Sequence, residues 1–422
     1  MSGALTSAMP QARVQLVFKG LPEAPLLAGS SHIVQLLEKH FQRWPFELAP
    51  AGEERPAFAV RTVRRGFQVS SREGGAELFE TAAEMLCDLG IDLAEAAVRR
   101  RAGMQCLHCA AVALPCGGGE KLAVFPNVNK AGKSLLAACF LWHGARLFAD
   151  DLLAVTESGE GMAFGLPPRL RLPLPESAPH LAAAMRGMPG YGDGRYHFLY
   201  AGESLAGFGE ALPVGAIVLP RRREEKGALP ELHRLSASSA LQCLTYQFQM
   251  RDGQAQAVLE LARRLCERLP LWILDYDSPE EAASLVVQEA PRLFSAASPR
   301  EEDAGLAVDF LAESDRLSCA RAARGRAFPS ERNLRWHRAP GVRIYENGAF
   351  AYLIPKEQSS IFGVDGIGRA VFALLAEPLS IAEAAGLLAE IFPQTGRSRL
   401  ESDLSHFFRT LFEQGLIVRA PC

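Results

Sequence analysis

The stretch 122–142 constrains the fold of this chain more than any other. A short, continuously apolar strand is predicted from Leu122 to Phe125, and a loop follows it. The predicted helix from Ser134 to Trp142 is apolar nearly all round, which indicates that it is buried. The tripeptide Gly132-Lys133-Ser134 lies where the loop meets this helix. A strand, such a loop and a buried helix are the context of a phosphate-binding loop, so an α/β domain with a nucleotide site is predicted.

In a phosphate-binding loop, backbone N–H groups hold the phosphates, a lysine neutralises their charge and a serine hydroxyl binds Mg²⁺. Here Asn127 replaces the first glycine of the Gly-x-x-x-x-Gly-Lys-Ser pattern. Asparagine is among the non-glycine residues that best tolerate left-handed backbone, so the loop can still form. The residues predicted to bind the nucleotide are Asn127, Asn129, Lys130, Ala131, Gly132, Lys133 and Ser134. The alternative is a chance Gly-Lys-Ser at a helix start.

Two aspartates follow the loop, inside a segment from Arg146 to Val155 that is predicted as one strand. One carboxylate of the pair Asp150 and Asp151 can hold Mg²⁺, and the other can accept the proton of an attacking hydroxyl. Adjacent strand residues point to opposite faces, so both serve only if the strand ends near Asp150. The alternative is a simple Asp-Asp turn. His108, on the strand predicted from Cys106 to Leu114, is a core histidine or a group that reaches the transferred phosphoryl.

The ordered set 107–112, 131–134 and 143–151 resembles the catalytic core of the HPr serine kinase/phosphorylase family. The resemblance covers about residues 100–290 and implies a P-loop kinase core that binds ATP and Mg²⁺. It implies that Ser134 and Asp150 bind the metal and that Asp150, Asp151, His108 and Arg171 are catalytic. Arg169 is the alternative to Arg171 as a phosphate clamp. No segment matches the phosphorylase signature of the family, so the reverse reaction is not predicted.

The other regions of the chain give weaker signals. Residues 1–100 are predicted as an α/β lead-in, with a helix from Glu77 to Leu89 that Gly90 ends or interrupts. The kinase-like domain is predicted at 101–295, a polar linker at 296–335 and a separate small domain at 336–422.

The C-terminal domain is predicted as a small, winged-helix-like α+β fold. Glu346-Asn347-Gly348 predicts a β-hairpin, and Ser380/Glu383 and Ser398/Glu401 predict two capping boxes. With its closing segment 413–417, this region resembles the PqqD family, whose members bind the leader of a ribosomal precursor peptide by strand addition. The alternative is a DNA-binding winged helix. Seven Lys/Arg against nine Asp/Glu between Val342 and Ala420 argue against it.

Composition excludes several classes of partner. The net charge of −3 provides no basic field for nucleic acid or anionic lipid. No apolar run reaches the length of a membrane helix, and residues 1–13 lack the apolar core of a signal peptide. The nine cysteines include one Cys-x-x-Cys pair, Cys106 and Cys109, but no zinc-finger spacing. We therefore expect reduced thiols and a cytoplasmic protein.

Together these features predict an ATP-dependent kinase that phosphorylates a Ser or Thr hydroxyl of a peptide or protein. The C-terminal domain would recruit this substrate, and a ribosomal precursor peptide is the specific expectation. One alternative is a non-catalytic nucleotide-sensing scaffold or peptide chaperone, which the change at Asn127 favours. Another is an enzyme that uses ATP to activate a carboxylate or small molecule. Relatives of the kinase core assemble as oligomers, and the sequence is compatible with an oligomer.

Overall fold

The computed structural model describes residues 14–21, 26–50, 56–72, 75–127, 132–223, 225–249, 254–295, 328–329, 334–348, 350–357 and 360–420. Over these ranges the chain has a mixed α/β fold. It divides into two compact units, one of residues 1–234 with 269–298 and one of residues 235–268 with 299–422. In the described ranges, none of the helices has both the length and the apolar character needed to cross a lipid bilayer.

The helices are labelled in chain order: α1 Ser31–His40, α2 Ala82–Arg99, α3 Lys133–Trp142, α4 Pro179–Ala184, α5 Ala237–Thr245, α6 Ala255–Arg268, α7 Pro279–Gln288, α8 Ala290–Leu293, α9 Gly366–Leu374, α10 Ile381–Ile391 and α11 Arg397–Glu413. The strands are β1 Val14–Phe18, β2 Leu26–Ala28, β3 Phe46–Pro50, β4 Phe58–Val63, β5 Gly66–Ser71, β6 Ala76–Phe79, β7 Met104–Cys116, β8 Gly119–Pro126, β9 Arg146–Ala149, β10 Leu152–Thr156, β11 Glu160–Met162, β12 Arg169–Arg171, β13 Gly190–Gly192, β14 Tyr196–Leu199, β15 Ala211–Arg222, β16 Glu231–Arg234, β17 Leu271–Tyr276, β18 Arg335–Arg338, β19 Arg343–Asn347, β20 Phe350–Ile354, β21 Phe362–Val364, β22 Leu379–Ser380 and β23 Ile417–Arg419.

The N-terminal part of the first unit is a sheet with the strand order β3-β1-β2-β4-β5-β6. Helices α1 and α2 contribute apolar side chains to its core, which also contains Phe18, Phe41 and Trp44. This core continues into the central sheet through Leu152 and Phe164. The lead-in therefore packs directly on the part of the chain that carries the predicted site.

The helix predicted from Glu77 to Leu89 differs from helix α2 at both ends. Residues 76–79 form strand β6, and α2 begins only after Thr81, whose hydroxyl accepts the Glu84 N–H (3.2 Å). At its other end α2 runs through the buried Gly90 to Arg99. The prediction that Gly90 ends or interrupts the helix is wrong, because tertiary packing of an apolar face overrides the low helix propensity of one glycine.

The central sheet has the strand order β11-β10-β7-β8-β15-β17-β16, and β9 pairs with β7 as well. Strands β7 and β8 form an antiparallel hairpin whose turn has positive φ at Gly117 and Gly118. Strands β8, β15 and β17 are parallel neighbours. Helix α3 connects the end of β8 to β9, and its buried face joins a core with residues from β7, β8, β15 and β17.

The segment predicted as one strand from Arg146 to Val155 is two strands. Strand β9 ends at Ala149, and β10 begins at Leu152. Both pair antiparallel with β7, β10 along residues 104–108 and β9 along residues 111–113, where the register shifts between Ala111 and Val112. Asp150 and Asp151 therefore lie in the bend between two strands and not on the opposite faces of one.

The second compact unit contains helices α5 and α6 together with the C-terminal elements. Its sheets are β22-β18-β23 and β19-β20-β21. A core of apolar side chains joins the sheets to α9, α10 and α11. Helices α5 and α6 lie within the sequence range 101–295 that was predicted as the kinase-like domain, and that four-part division stays a prediction.

Local signals in the C-terminal region had different outcomes. The Asn347-Gly348 hairpin is confirmed, with β19 and β20 paired antiparallel and Gly348 at φ 59°. The capping box of Ser380 and Glu383 is present at the start of α10. The second predicted capping box is wrong: α11 begins at Arg397 with Gly396 as its N-cap, so Ser398 lies inside the helix.

The edge strand β21 is capped by a side chain of the same unit. The backbone N–H of Gly363 donates a hydrogen bond of 2.9 Å to the hydroxyl of Tyr246, the residue that follows α5. A Cβ at position 363 would lie 2.8 Å from this hydroxyl, so a side chain there would have to displace it. Because edge strands expose unpaired N–H groups, Tyr246 occupies a position at which another strand would pair.

We expect Tyr246→Phe to speed amide hydrogen exchange at Gly363 about fivefold, because one hydrogen bond is worth about 1 kcal/mol. The measurement is residue-resolved hydrogen exchange on the full chain. Tyr191→Phe, in the first compact unit, is the matched control and should leave Gly363 unchanged. Equal exchange at Gly363 in wild type and Tyr246→Phe would contradict this assignment.

Candidate functional site

The start of helix α3 has the geometry of a phosphate site. Gly132 is its N-cap, with φ 88°, a conformation that L side chains rarely adopt. A Cβ on Gly132 would lie 2.6 Å from the hydroxyl of the buried Tyr276, at the end of β17. The position therefore requires glycine on two grounds. The first-turn N–H groups of α3 are suited to bind an anion.

Lys133 is buried at this helix start. Its Nζ donates to the backbone carbonyl of Asn127 over 2.6 Å. Burial lowers the pKa of Lys133, and the charges of Asp151 and Asp150 oppose this shift. A desolvated ammonium between a loop carbonyl and two carboxylates is well placed to neutralise a phosphate.

Asn127, at the position of the missing first glycine, has a bonding role that the sequence did not reveal. Its buried side-chain amide donates to the Pro220 carbonyl near the end of β15. The amide thus ties the end of β8 to the neighbouring parallel strand. Asn129, Lys130 and Ala131 lie outside the described residues, and their predicted contacts with a nucleotide stay predictions.

Asp150 is 7% exposed. One carboxylate oxygen, Oδ2, accepts the Arg169 backbone N–H over 2.9 Å. The other, Oδ1, is buried without a partner in the part of the chain that the structure describes. Burial raises the pKa of Asp150 to about 6, against the hydrogen bonds from the Arg169 backbone and the Ser134 hydroxyl, which lower it.

This arrangement fits the Mg²⁺ predicted from the sequence. The buried, unpartnered Oδ1 of Asp150 and the neighbouring Ser134 hydroxyl are the oxygen donors that this cation prefers. In the described ranges, no group of three His, Cys, Asp or Glu side chains could hold a metal by itself. A cation bound through few protein ligands and substrate phosphates needs no such group.

Asp151 and His108 form a pair. His108 Nε2 lies 2.8 Å from Asp151 Oδ1, and the Asp151 side chain is 41% exposed. Burial acts to raise the pKa of Asp151, but the hydrogen bond and charge of His108, with Arg169 and Lys133, hold it below its usual value. Asp151 is therefore an ionised carboxylate, oriented by a histidine, at neutral pH.

The register of β7 brings this pair together. His108 lies opposite Leu152, and the next residue, Cys109, donates its N–H to the Asp151 carbonyl over 3.1 Å. The sequence placed His108 on the strand next to the loop strand, and the β7–β8 pairing confirms that position. The roles of these residues in a reaction stay predictions.

Three arginines line the same cavity, namely Arg169, Arg171 and Arg222. The guanidinium of Arg169 lies over the ring of Tyr196 at 4.7 Å. Its charge helps to hold down the pKa of Asp151 and opposes the rise that burial causes in the pKa of Asp150. Arg171 is exposed, 6.0 Å from the same ring. Arg222 was missed by the sequence reasoning, although three arginines after a buried strand at 221–223 were a usable signal.

One cavity of about 720 Å³ joins these groups, a size typical of ligand pockets. Its polar side is lined by His108, Lys133, Ser134, Asp150, Asp151 and the three arginines. Its other side is apolar and includes Leu86, Gly90 and Ile91 of helix α2. The sequence gave no sign that the lead-in contributes to the site, because apolar helix residues are ordinarily core.

We expect Asp150→Asn to stabilise the protein without nucleotide at pH 7.5. The raised pKa means that the carboxyl group stabilises the fold below about pH 3.8 and that this stability is lost as the pH rises through about 6. At about 1.4 kcal/mol per pKa unit, the ionised group costs about 3 kcal/mol at neutral pH. Urea unfolding should show a gain approaching this value at pH 7.5 and a much smaller gain at pH 4. Asp403→Asn, on the surface, is the control, and a destabilised Asp150→Asn at pH 7.5 would contradict this reading.

Comparison with known proteins supports the resemblance of the C-terminal region to the PqqD family. Residues 351–417 match the family model described as "Coenzyme PQQ synthesis protein D (PqqD)". The match runs from strand β20 to the first residue of β23 and includes helices α9, α10 and α11. A search of curated proteins finds none that matches the chain. Residues 351–417 are thus a PqqD-like domain.

Proposed function

We propose that the protein is an ATP-dependent kinase that transfers the γ-phosphoryl group to a Ser or Thr hydroxyl of a peptide. The observation that carries this proposal is the cavity that joins the start of α3, with Lys133, to the pair of Asp151 and His108. A phosphate site and an oriented carboxylate that face one space are the minimum that phosphoryl transfer to a hydroxyl requires.

The phosphates of ATP would lie at the N-terminus of α3. The N–H groups of its first turn and the Lys133 ammonium would bind them, and Arg222 adds a positive charge on the cavity wall. Ser134 and Asp150 would hold Mg²⁺, which supplies charge neutralisation to the phosphates when bound. Anionic phosphates would also restore the charge balance around the buried Lys133.

Asp151 is the group best suited to receive the proton of the acceptor hydroxyl. It is ionised at neutral pH and partly exposed to the cavity, and His108 orients it. In the transfer, the hydroxyl oxygen forms a bond to the γ-phosphorus, the bond from that phosphorus to the bridging oxygen breaks, and the proton moves to Asp151. The electron pair of the broken bond leaves with ADP.

The PqqD-like domain supports a peptide as the acceptor. Proteins of this family act in precursor peptide modification, and strand addition to a sheet edge is the expected mode of binding. At the β21 edge, a peptide that pairs with Gly363 has to displace the Tyr246 hydroxyl. A peptide held by this domain would reach the catalytic cavity at a raised effective concentration.

We expect Lys133→Met to weaken MgATP binding by about 10- to 100-fold, since hydrogen bonds to charged groups contribute about 1.5–3 kcal/mol. Isothermal titration with MgATP measures this effect. The matched control is Lys226→Met, because the Lys226 side chain is 88% exposed and lies outside the cavity lining. Unchanged affinity of Lys133→Met for MgATP, or no MgATP binding by the wild type, would contradict the kinase proposal and favour a peptide-binding scaffold.

We expect Asp151→Asn to lower phosphorylation about 100-fold or more while MgATP affinity changes less than about threefold, because general-base catalysis contributes about 10²–10⁴-fold. His108→Gln should have a smaller effect, since it disturbs only the orientation of Asp151. The assay is transfer of radiolabel from γ-labelled ATP to an array of Ser and Thr peptides. Full activity in Asp151→Asn would exclude Asp151 as the base, and a product mass other than one added phosphoryl group would indicate a different reaction.

A further inference from the structure

Part of the cavity wall is an apolar region that the proposed phosphate chemistry does not use. We call this region the apolar arm and define it by the residues that line it: His40, Leu86, Gly90, Ile91, Phe164, Leu166 and Phe198. Apart from His40, these side chains carry no polar group. An apolar space of this kind does not suit the triphosphate of a nucleotide, so its occupant is either the adenine ring or an apolar group of the acceptor.

The residues of the apolar arm and the reacting groups line the same cavity. Cys87, on α2 beside Leu86, also lines the cavity. Burial raises the pKa of its thiol to about 12, and the charges of Arg169, Asp151 and Asp150 act on it as well. Helix α2 therefore lies within electrostatic reach of the aspartate pair. A group in the arm would share one cavity with a hydroxyl that is bound at Asp151.

Gly90 leaves space in the wall of the arm. A glycine inside a helix costs about 1 kcal/mol relative to alanine. A Cβ at Gly90 would meet only Leu166, at 3.4 and 3.5 Å, which is ordinary van der Waals contact. Packing against the protein therefore does not demand glycine here. The missing side chain instead widens the arm.

His40 provides one polar group in the arm. It is 3% exposed and packs edge-on against the rings of Phe41 and Phe198, at centroid distances of 4.9 and 4.6 Å. Its Nδ1 has no hydrogen-bond partner among the residues that the structure describes. Burial lowers the pKa of His40 to about 3, so the imidazole is neutral at physiological pH. His40 therefore adds a neutral ring to the wall of the arm and no charge.

We propose that the apolar arm binds a bulky apolar side chain of the acceptor peptide, next to the hydroxyl that is phosphorylated. This inference rests on the proposed kinase function and adds a sequence preference to it. Helix α2 of the lead-in then selects the acceptor.

The first test needs no catalysis. Ligand-observed NMR with the full chain and MgADP compares N-acetyl-phenylalaninamide, N-acetyl-leucinamide and N-acetyl-alaninamide. We expect the two larger amides to bind wild type at least about tenfold more tightly than the alanine compound, as burial of a large side chain provides. Gly90→Leu, which fills the arm, should reduce this ratio to less than about twofold.

Two further variants distinguish the loss of the pocket from the loss of the folded state. Gly90→Ala fits the space beside Leu166 and should keep the selectivity of the wild type. Leu166→Ala enlarges the arm and should shift the preference towards N-acetyl-tryptophanamide. Circular dichroism melting checks that each variant is folded. Equal binding of all amides by wild type, or the same selectivity in wild type and folded Gly90→Leu, would overturn the apolar arm as a side-chain site.

The second test separates this inference from the kinase proposal. Isothermal titration of Gly90→Leu with MgATP should give the affinity of the wild type, while Lys133→Met loses it. A loss of MgATP affinity in Gly90→Leu equal to that of Lys133→Met would assign the arm to the nucleotide and overturn the inference. A different outcome is amide binding that is selective and dependent on Gly90 while no peptide in the array is phosphorylated. That result would support the pocket and contradict only the kinase reaction.

Discussion

The candidate site depends on the way one long strand, β7, holds two short partners. Strand β9 pairs with residues 111–113 of β7, and β10 pairs with 104–108, so the chain between them has to bend at Asp150 and Asp151. A single continuous strand would have sent these carboxylates to opposite faces. The bend instead places one beside Ser134 and the other beside His108. The same strand pairs on its other edge with β8, which leads to the helix start. Strand pairing alone therefore brings the start of α3 and the two carboxylates together.

The electrostatics of this site oppose the stability of the fold. Burial shifts the pKa of both Lys133 and Asp150 towards the neutral forms, and each shift records a free-energy cost of holding a charge out of water. Such shifts cluster at functional sites, because a ligand of complementary charge removes the cost when it binds. A polyanion with a divalent cation is such a ligand. Helix α3 and the packing of Tyr276 under Gly132 keep the charged groups in place without it.

The sequence carried enough information for the parts of the site that depend on local order. Gly132-Lys133-Ser134 between a strand and a buried helix, and two aspartates one strand later, define their positions through short connections. Parts that depend on distant contacts were not predictable. Gly90 lies inside a helix because α2 packs on the sheet, and the bend after Ala149 reflects pairing with β7, which is about 40 residues earlier. The grouping of α5 and α6 with the C-terminal elements is likewise a result of tertiary packing.

A peptide recognised at both the β21 edge and the apolar arm would make two different kinds of contact. Pairing with a sheet edge uses backbone groups that every residue has, so it contributes affinity with little dependence on sequence. A pocket such as the apolar arm discriminates by the size of one side chain, by about 10- to 200-fold. Neither suffices alone: the edge would hold many peptides, and the pocket would bind its side chain only weakly. When one peptide engages both, the second contact forms at the effective concentration that the first creates, so selectivity at Gly90 acts on a substrate that is already held. On the proposed function, this combination would give the PqqD-like domain and the apolar arm separate roles in selecting one substrate.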